Sequence, residues 1–390
     1  MDRESSIVSA VLFSASPFLD GFITVAAGFL IASFLMTGSV TAVQVSLFAG
    51  SFMTGTFLGS GLIGRVADRF GRLPCARTLV PALFPLSAAA LLFSDITSLT
   101  VINFVLGVLI GADQPVSQAL AAEKLPLEKR ERVLSLLMLA WFVGALTAVG
   151  LYRLFLRLGL TEAALYAVPA LIALANIWPR LRLTESDVWK ASVESAPKGW
   201  GLAAVLRRSA RSFVFCCGFW ICQTIPVTAI MFYSPTILAS MTGSNDQTLQ
   251  IALIYLFFLL GTLPMTTKLF SPPLSRVLVG TFAVMALGLV GVALSASSAV
   301  LLGLFFVAYA FAYGMQTTLD YIYPVVLFSP SLRASASGAI LAVSRVGSAL
   351  CAVAFPFLLE RFDAPTLLLA GAIISAAGMG WVFCLPKKDR

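Results

Sequence analysis

Gly64-Arg65-Val66-Ala67-Asp68-Arg69-Phe70-Gly71-Arg72 sets three arginines and an aspartate between two long apolar runs. Only 11% of the 390 residues are charged and 59% are hydrophobic, so this cluster marks a point where the chain returns to water. The mean hydropathy of +0.95 lies far above that of water-soluble chains. A bilayer-spanning helix needs about 20 mostly apolar residues, which leaves room here for about twelve with short connections. Lipid offers backbone groups no hydrogen-bond partners, so each span satisfies its own as a helix. The sequence therefore reads as an all-α integral membrane protein.

Working outward from that turn, apolar runs and their breakers predict helices at 7–35, 41–63, 76–94, 98–122, 133–156 and 162–179. A second set is predicted at 212–239, 247–268, 275–296, 299–327, 334–358 and 365–385. The first run is too long for a signal peptide and no small-residue cleavage site follows it. Most of the 26 lysines and arginines fall in alternate connections, the pattern of cytoplasmic loops, which puts both termini in the cytoplasm. That topology also accounts for the pI of 9.4 without invoking nucleic acid. The longest polar segment lies mid-chain, so the domains read as a six-helix bundle at 1–179, a cytoplasmic linker at 180–211 and a second bundle at 212–390.

The opening stretch resembles G-x-x-x-D-R-x-G-R-R, the loop between the second and third helices of the major facilitator superfamily, with Leu73 at the last basic position. Gly111-Ala112-Asp113-Gln114-Pro115, followed by Glu123 to Pro126 and Arg130, is similar to the fourth-helix pattern G-x-D-x-P…E-x-x-P-x-x-x-R of sugar porters and of phosphate and organic-acid symporters. Leu183 to Trp189 resembles the P-E-S-P-R-W run after the sixth helix. Tyr323 through Arg333 to Gly338 resembles Y-x-P-E-L-x-P-x-x-x-R-x-x-G, with Val326 in the glutamate's place. Gln223 through Pro235 parallels the sugar-porter seventh helix Q-L-S-G-I-N-A-V-x-Y-Y-S-P, with Thr228 where the asparagine stands. The second-half copy of the opening loop, near Pro264 to Arg276, keeps Lys268 and Arg276 but has Pro272-Pro273 in place of the Asp-Arg pair. The resemblance implies twelve transmembrane helices in two pseudo-symmetric bundles and alternating access around a central site. Thr228 in the asparagine's place leaves a hexose short of amide partners.

Ionisable groups at bilayer depth are functional candidates. At 1.5 Å per residue, Asp20 lies about 20 Å along helix one and Asp113 about 15 Å from the inner end of helix four. In the related symporters, aspartates on these helices carry the proton or help bind substrate, so the resemblance makes Asp20 and Asp113 the candidate proton-coupling groups. The competing reading for each is a packing carboxylate bonded to neighbouring hydroxyls. Arg345, deep in helix eleven, either clamps an anionic substrate or neutralises Asp20, Asp113 or Asp320. The remaining substrate-binding candidates are Gln223, Gln114, Thr228, Trp220, Tyr233, Gln316 and Tyr321. A gating network is expected from Gly64, Asp68, Arg69, Gly71, Arg72, Glu123, Arg130, Glu185, Asp320 and Arg333. It is expected to be one-sided, because Arg333 is the clear survivor in the second half.

With no histidine in the chain, histidine catalysis and histidine metal sites are excluded, and any proton coupling falls to carboxylates. The six cysteines lack metal-site spacing and read as packing residues. No cofactor, metal or enzymatic motif is read. The expected function is proton-coupled secondary transport of a small polar organic solute, an organic anion or a polyol. Its setting is the inner or plasma membrane, and its partners are substrate, protons and lipid, in a monomer. Two alternatives stand beside it: a proton-driven exporter of drugs or a secreted metabolite, and a solute sensor that does not transport.

Overall fold

The computed structural model describes residues 3–37, 40–124, 127–194, 202–242, 248–266, 273–295, 298–359 and 361–385, and among these no strand occurs. Helices α1 (Arg3–Thr37), α2 (Ala42–Phe70), α3 (Arg72–Thr78), α4 (Leu83–Ala90), α5 (Ile96–Lys124), α6 (Leu127–Arg157) and α7 (Ala167–Leu181) form the first half. A short helix, α8 (Asp187–Glu194), follows. The second half holds α9 (Leu202–Thr242), α10 (Thr248–Thr266), α11 (Leu274–Leu294), α12 (Ala299–Thr317), α13 (Leu319–Leu327), α14 (Arg333–Leu359) and α15 (Ala364–Gly380). Eleven described stretches are long and apolar enough to cross a membrane, and Ile251–Thr266 in α10 is a shorter apolar one.

Three expected helices differ in detail. The third span is divided into α3 and α4, where Pro81 lacks an N–H and the chain makes the tighter Leu83 to Val80 and Phe84 to Pro81 bonds. The tenth is interrupted at Thr318, between α12 and α13. Helix α9 starts at Leu202 rather than 212, but Ser209 (φ −145°, ψ 36°) kinks it where the polar connection meets the membrane span. Upstream, Thr41 and Gln44 cap α2 reciprocally: the Thr41 N–H donates to Gln44 Oε1 at 2.9 Å and the Gln44 N–H to Thr41 Oγ1 at 3.3 Å.

The two halves repeat one packing plan. In the first, α1 packs on α6, α2 on α5 and α4 on α7; in the second, α9 packs on α14, α10 on α12 and α11 on α15. Lipid supplies no hydrophobic drive between helices, so small residues that let backbones touch hold such pairs together. The α2–α5 seam uses Gly59 and Gly111, where an added Cβ would strike the Val108 carbonyl or the Thr56 backbone. Gly314 does the same work on α12 against Phe258 of α10. Between the halves, α2 lies against α14 and α6 against α10, again a symmetric exchange of partners. The cysteines are all unpaired, and Cys75, Cys216 and Cys217 are buried as packing residues.

Candidate functional site

Two charged layers lie between the halves. One is at the face carrying the Gly64–Arg72 turn; the other is a cavity deep in the bundle.

The turn itself is shaped by Gly71, whose φ of +104° and ψ of 159° belong to glycine-only backbone. An added Cβ there would meet Glu185 Oε2. Glu185 accepts the Leu73 N–H at 2.9 Å, tying the connection before α8 onto the start of α3. Arg72, fully buried, then sits among acceptors: Asp68 Oδ1 at 3.0 Å, Glu123 Oε1 at 3.2 Å, the Ala67 carbonyl at 3.1 Å and the Pro330 carbonyl at 2.8 Å. Its guanidinium also lies 5.5 Å from the centroid of the Trp189 ring, whose Nε1–H donates to the Asp68 carbonyl. Asp68 reaches across to the other half, where Oδ2 accepts the Ser335 N–H at 2.7 Å in the first turn of α14. A carboxylate at a helix N-terminus is stabilising by about 0.3–1 kcal/mol, and more where partly buried. Gly64 makes this approach possible, because a Cβ there would lie 2.5 Å from Ser335 Cα.

Arg333 joins from the second half, 3.7 Å from Glu123 Oε1 and donating to the Val325 carbonyl. Arg130 lies beside this group, where burial lowers its pKa and the Glu123 carboxylate opposes that shift. The one-sided expectation therefore needs amending. The second half contributes Arg333 and also backbone, through the Ser335 N–H and the Pro330 carbonyl. Two expected members are not in the layer. Arg69 is exposed and stacks on Phe70, with 5.1 Å from guanidinium to ring centroid. Asp320 lies in the deep cavity.

That cavity, about 60 Å³, draws residues from both halves: Asp20 and Thr24 of α1, Gln114 of α5, Trp220 and Thr228 of α9, Asp320 and Tyr321 of α13 and Arg345 of α14 all line it. Asp20 is completely buried and sits at its centre. Its Oδ2 accepts from Gln114 Nε2 at 2.6 Å and from Arg345 Nη2 at 2.7 Å, while Thr24 Oγ1 donates to Oδ1 at 3.4 Å. On the far wall, Gln223 Nε2 donates to both oxygens of Asp320, at 2.6 Å to Oδ1. Ligand pockets usually hold roughly 300 Å³ or more, so a metabolite fits here only when the halves part.

The other sequence candidates divide. Gln114, Thr228, Trp220 and Tyr321 face the cavity, and Gln223 borders it through Asp320. Gln316 is buried with neither amide atom paired and does not line the open space. The side chain of Tyr233 lies outside the described residues, as do Lys268 and Pro272 of the second-half loop. Asp113 does not reach the cavity. It is fully buried against Arg180 of α7, with Arg180 Nη2 to Oδ2 at 3.0 Å, and Ser117 Oγ donates to Oδ2 at 2.7 Å. Arg180 also donates to the Ala76 carbonyl at 3.0 Å, which locks α3, α5 and α7 together. Sequence reasoning counted Arg180 with the polar connection, because it stands at the edge of an apolar run. Cavity residues it missed, such as Met53, Thr224 and Ser348, carry no signal that separates them from packing residues.

The sequence profile described as Major Facilitator Superfamily matches residues 12–352. The chain belongs to the Major Facilitator Superfamily. It is a membrane-transport carrier rather than an enzyme, and the charged turn, the paired bundles and the central cavity are those of an alternating-access protein. Over 96% of this chain and 91% of the other, it is 29% identical to YaaU of Escherichia coli (strain K12), whose name assigns it to metabolite transport. It is 24% identical to the minor myo-inositol transporter IolF of Bacillus subtilis (strain 168) over 84% of this chain and 78% of the other. Its fold is similar to the proton:xylose symporter XylE bound to 6-bromo-6-deoxy-D-glucose, with TM-score 0.82, 15% identity and coverage of 98% and 96%. A double-tryptophan variant of XylE superposes with TM-score 0.84 at 14% identity, covering 99% of this chain and 97% of that one.

Proposed function

We propose that this carrier moves a small organic anion together with a proton, using Asp20 as the proton-coupling group and Arg345 as the substrate clamp. The observation carrying this reading is the Arg345–Asp20 pair in the central cavity. An arginine at bilayer depth is costly unless neutralised. Here its partner is Asp20, through a single contact from Nη2 to Oδ2 at 2.7 Å. When a proton moves onto Asp20 the pair loses its attraction, and Arg345 is free to take a substrate carboxylate through two parallel N–H···O bonds. Proton and anion then load together, and the summed charge of Asp20, Arg345 and what they bind is unchanged. Leaving in the reverse order on the other side restores the starting pair. Gln114, bonded to Asp20, holds either form of the carboxyl, since an amide both donates and accepts.

The chain divides for this purpose into rocking halves at 1–179 and 212–390, joined by 180–211. The basic turn face is the cytoplasmic one by the positive-inside bias, with both termini there, in an inner or plasma membrane, and the monomer is the working unit. Asp68, Arg72, Glu123 and Arg333 close that face in the state described, and alternating access requires their contacts to part. Asp113, turned toward Arg180, is left out of the coupling step. The relatives named for metabolites and myo-inositol support a small polar solute, and Arg345 favours an acid among such solutes.

The test is uptake by proteoliposomes under an imposed pH gradient. Asp20→Asn is expected to abolish gradient-driven accumulation while sparing exchange of internal for external solute. Accumulation unchanged in Asp20→Asn rejects the coupling role. Arg345→Gln is expected to raise KM for carboxylates at least tenfold.

A further inference from the structure

The cavity carries one carboxylate more than the proposed cycle uses. Asp20, Asp320 and Arg345 all face it, and Arg345 is bonded to Asp20. Among the described residues no lysine or arginine forms an ion pair with Asp320, which is 3% exposed. The groups facing it are Gln223 and Cys216 from α9, Tyr313 and Thr317 from α12, its neighbour Tyr321, and Arg345 from α14 at longer range. None of these is a cation in contact with it, since Arg345 is engaged with Asp20. A second observation points the same way. Gln223 Oε1 and both amide atoms of Gln316 are buried without a hydrogen-bond partner. Gln223 is bonded to Asp320, so its unpaired amide oxygen lies beside that carboxyl. Buried polar groups in native proteins are nearly always satisfied. A carboxyl without a counter-ion beside an unpaired amide oxygen is therefore suited to a group that arrives with the solute.

We infer that the solute is a zwitterion, whose carboxylate goes to Arg345 and whose cationic nitrogen goes to Asp320 beside Gln223. The inference rests on the proposed anion site and adds a second pole to it. Pairing of polar groups selects the class. A plain monoanion fills Arg345 and brings nothing to Asp320; a zwitterion brings a cationic nitrogen as well, so both poles of the cavity are filled. An opposite charge is also what a desolvated carboxylate gains most from. Specificity then arises from the penalty on ligands that leave Asp320 unpaired.

The test measures binding to the purified, full-length carrier by ligand-induced thermal stabilisation, using two matched series. One is meta-ethylbenzoate, meta-(hydroxymethyl)benzoate and meta-(aminomethyl)benzoate; the other is pentanoate, gamma-hydroxybutyrate and gamma-aminobutyrate. In at least one series the amino member is expected to bind at least tenfold more tightly than its alkyl counterpart. Asp320→Asn is expected to erase that preference, reducing the ratio of amine to alkyl-acid affinity to about one. The unmodified protein gives the first comparison, so the inference stays testable if the variant folds poorly. Equal binding within both series, or a hydroxy acid equal to its amine, overturns the zwitterion assignment and leaves the anion site standing. If Arg345→Gln leaves all affinities unchanged, or no acid binds, the anion site itself fails and the second pole fails with it.

Discussion

Single residues in this carrier do work that their chemistry makes legible. Gly71 holds a backbone conformation open only to glycine and touches Glu185 where a side chain would begin. Gly71→Ala is expected to cost roughly 1–3 kcal/mol, because strain of that kind has no local remedy. Thermal unfolding in detergent should show a lower Tm, with no change in substrate KM for the protein that remains folded. Asp113 and Arg180 give the opposite kind of test. Each is fully buried and each is the other's counter-ion. Asp113→Asn leaves a buried guanidinium uncompensated, a loss of about 3–5 kcal/mol. The combined Asp113→Leu and Arg180→Met change is expected to recover most of it, since two apolar groups desolvate without penalty. Folded Asp113→Asn protein should still accumulate solute under a pH gradient, whereas Asp20→Asn protein should not. That contrast separates a packing carboxylate from a coupling one within the same assay.

At the scale of helices, the seam between α2 and α14 is the part of the structure that must open and close. It is narrow because Gly64 lets Ser335 approach, and it is fastened by Asp68 on the first turn of α14. Gly64→Leu adds a side chain where a Cβ alone would stand 2.5 Å from Ser335 Cα. The expected result is a seam that cannot close. In a background with the native cysteines replaced, cysteines placed at the basic face should then react faster with a soluble maleimide. An unchanged labelling rate would mean that α14 yields elsewhere. The seam between α10 and α12 lies within one half, so filling Gly314 is expected to lower stability without biasing accessibility. The same labelling assay distinguishes the two.

For the whole molecule, the balance between the two access states is expected to follow from how unevenly the halves are fastened. Asp68 and Glu123 of the first half meet the Ser335 N–H and Arg333 of the second, and Arg72 donates to the Pro330 carbonyl. Asp68→Asn removes the charge facing the α14 N-terminus and one partner of Arg72. It is expected to shift the population toward the state open at the basic face, measured by the same maleimide labelling and by faster counterflow. An unaltered balance would show that the backbone contacts suffice to hold the gate.

Much of this was readable in the residue order, and the reason lies in solvent. Water against lipid is a large contrast, so span number, the mid-chain division and the charged turn all stand out from hydropathy and charge. That Asp68, Arg72, Glu123 and Arg333 belong to one charged cluster is likewise legible, because charge at the end of an apolar run has few roles. Rotational position was not. In a lipid-embedded helix both the packed and the outer faces are apolar, so no amphipathic pattern says which way a lone aspartate points. Asp20 and Asp113 look alike in sequence; one meets Arg345, 325 positions away, and the other meets Arg180 on α7. Depth alone leaves Asp320 equally at the gate or at the site, and in the structure it lines the cavity. Composition and spacing thus settle that this is a two-bundle membrane carrier with a charged turn between two of its spans. Which buried charges face one another is settled by helix packing, since a charge in lipid takes whichever partner the neighbouring helices bring within reach.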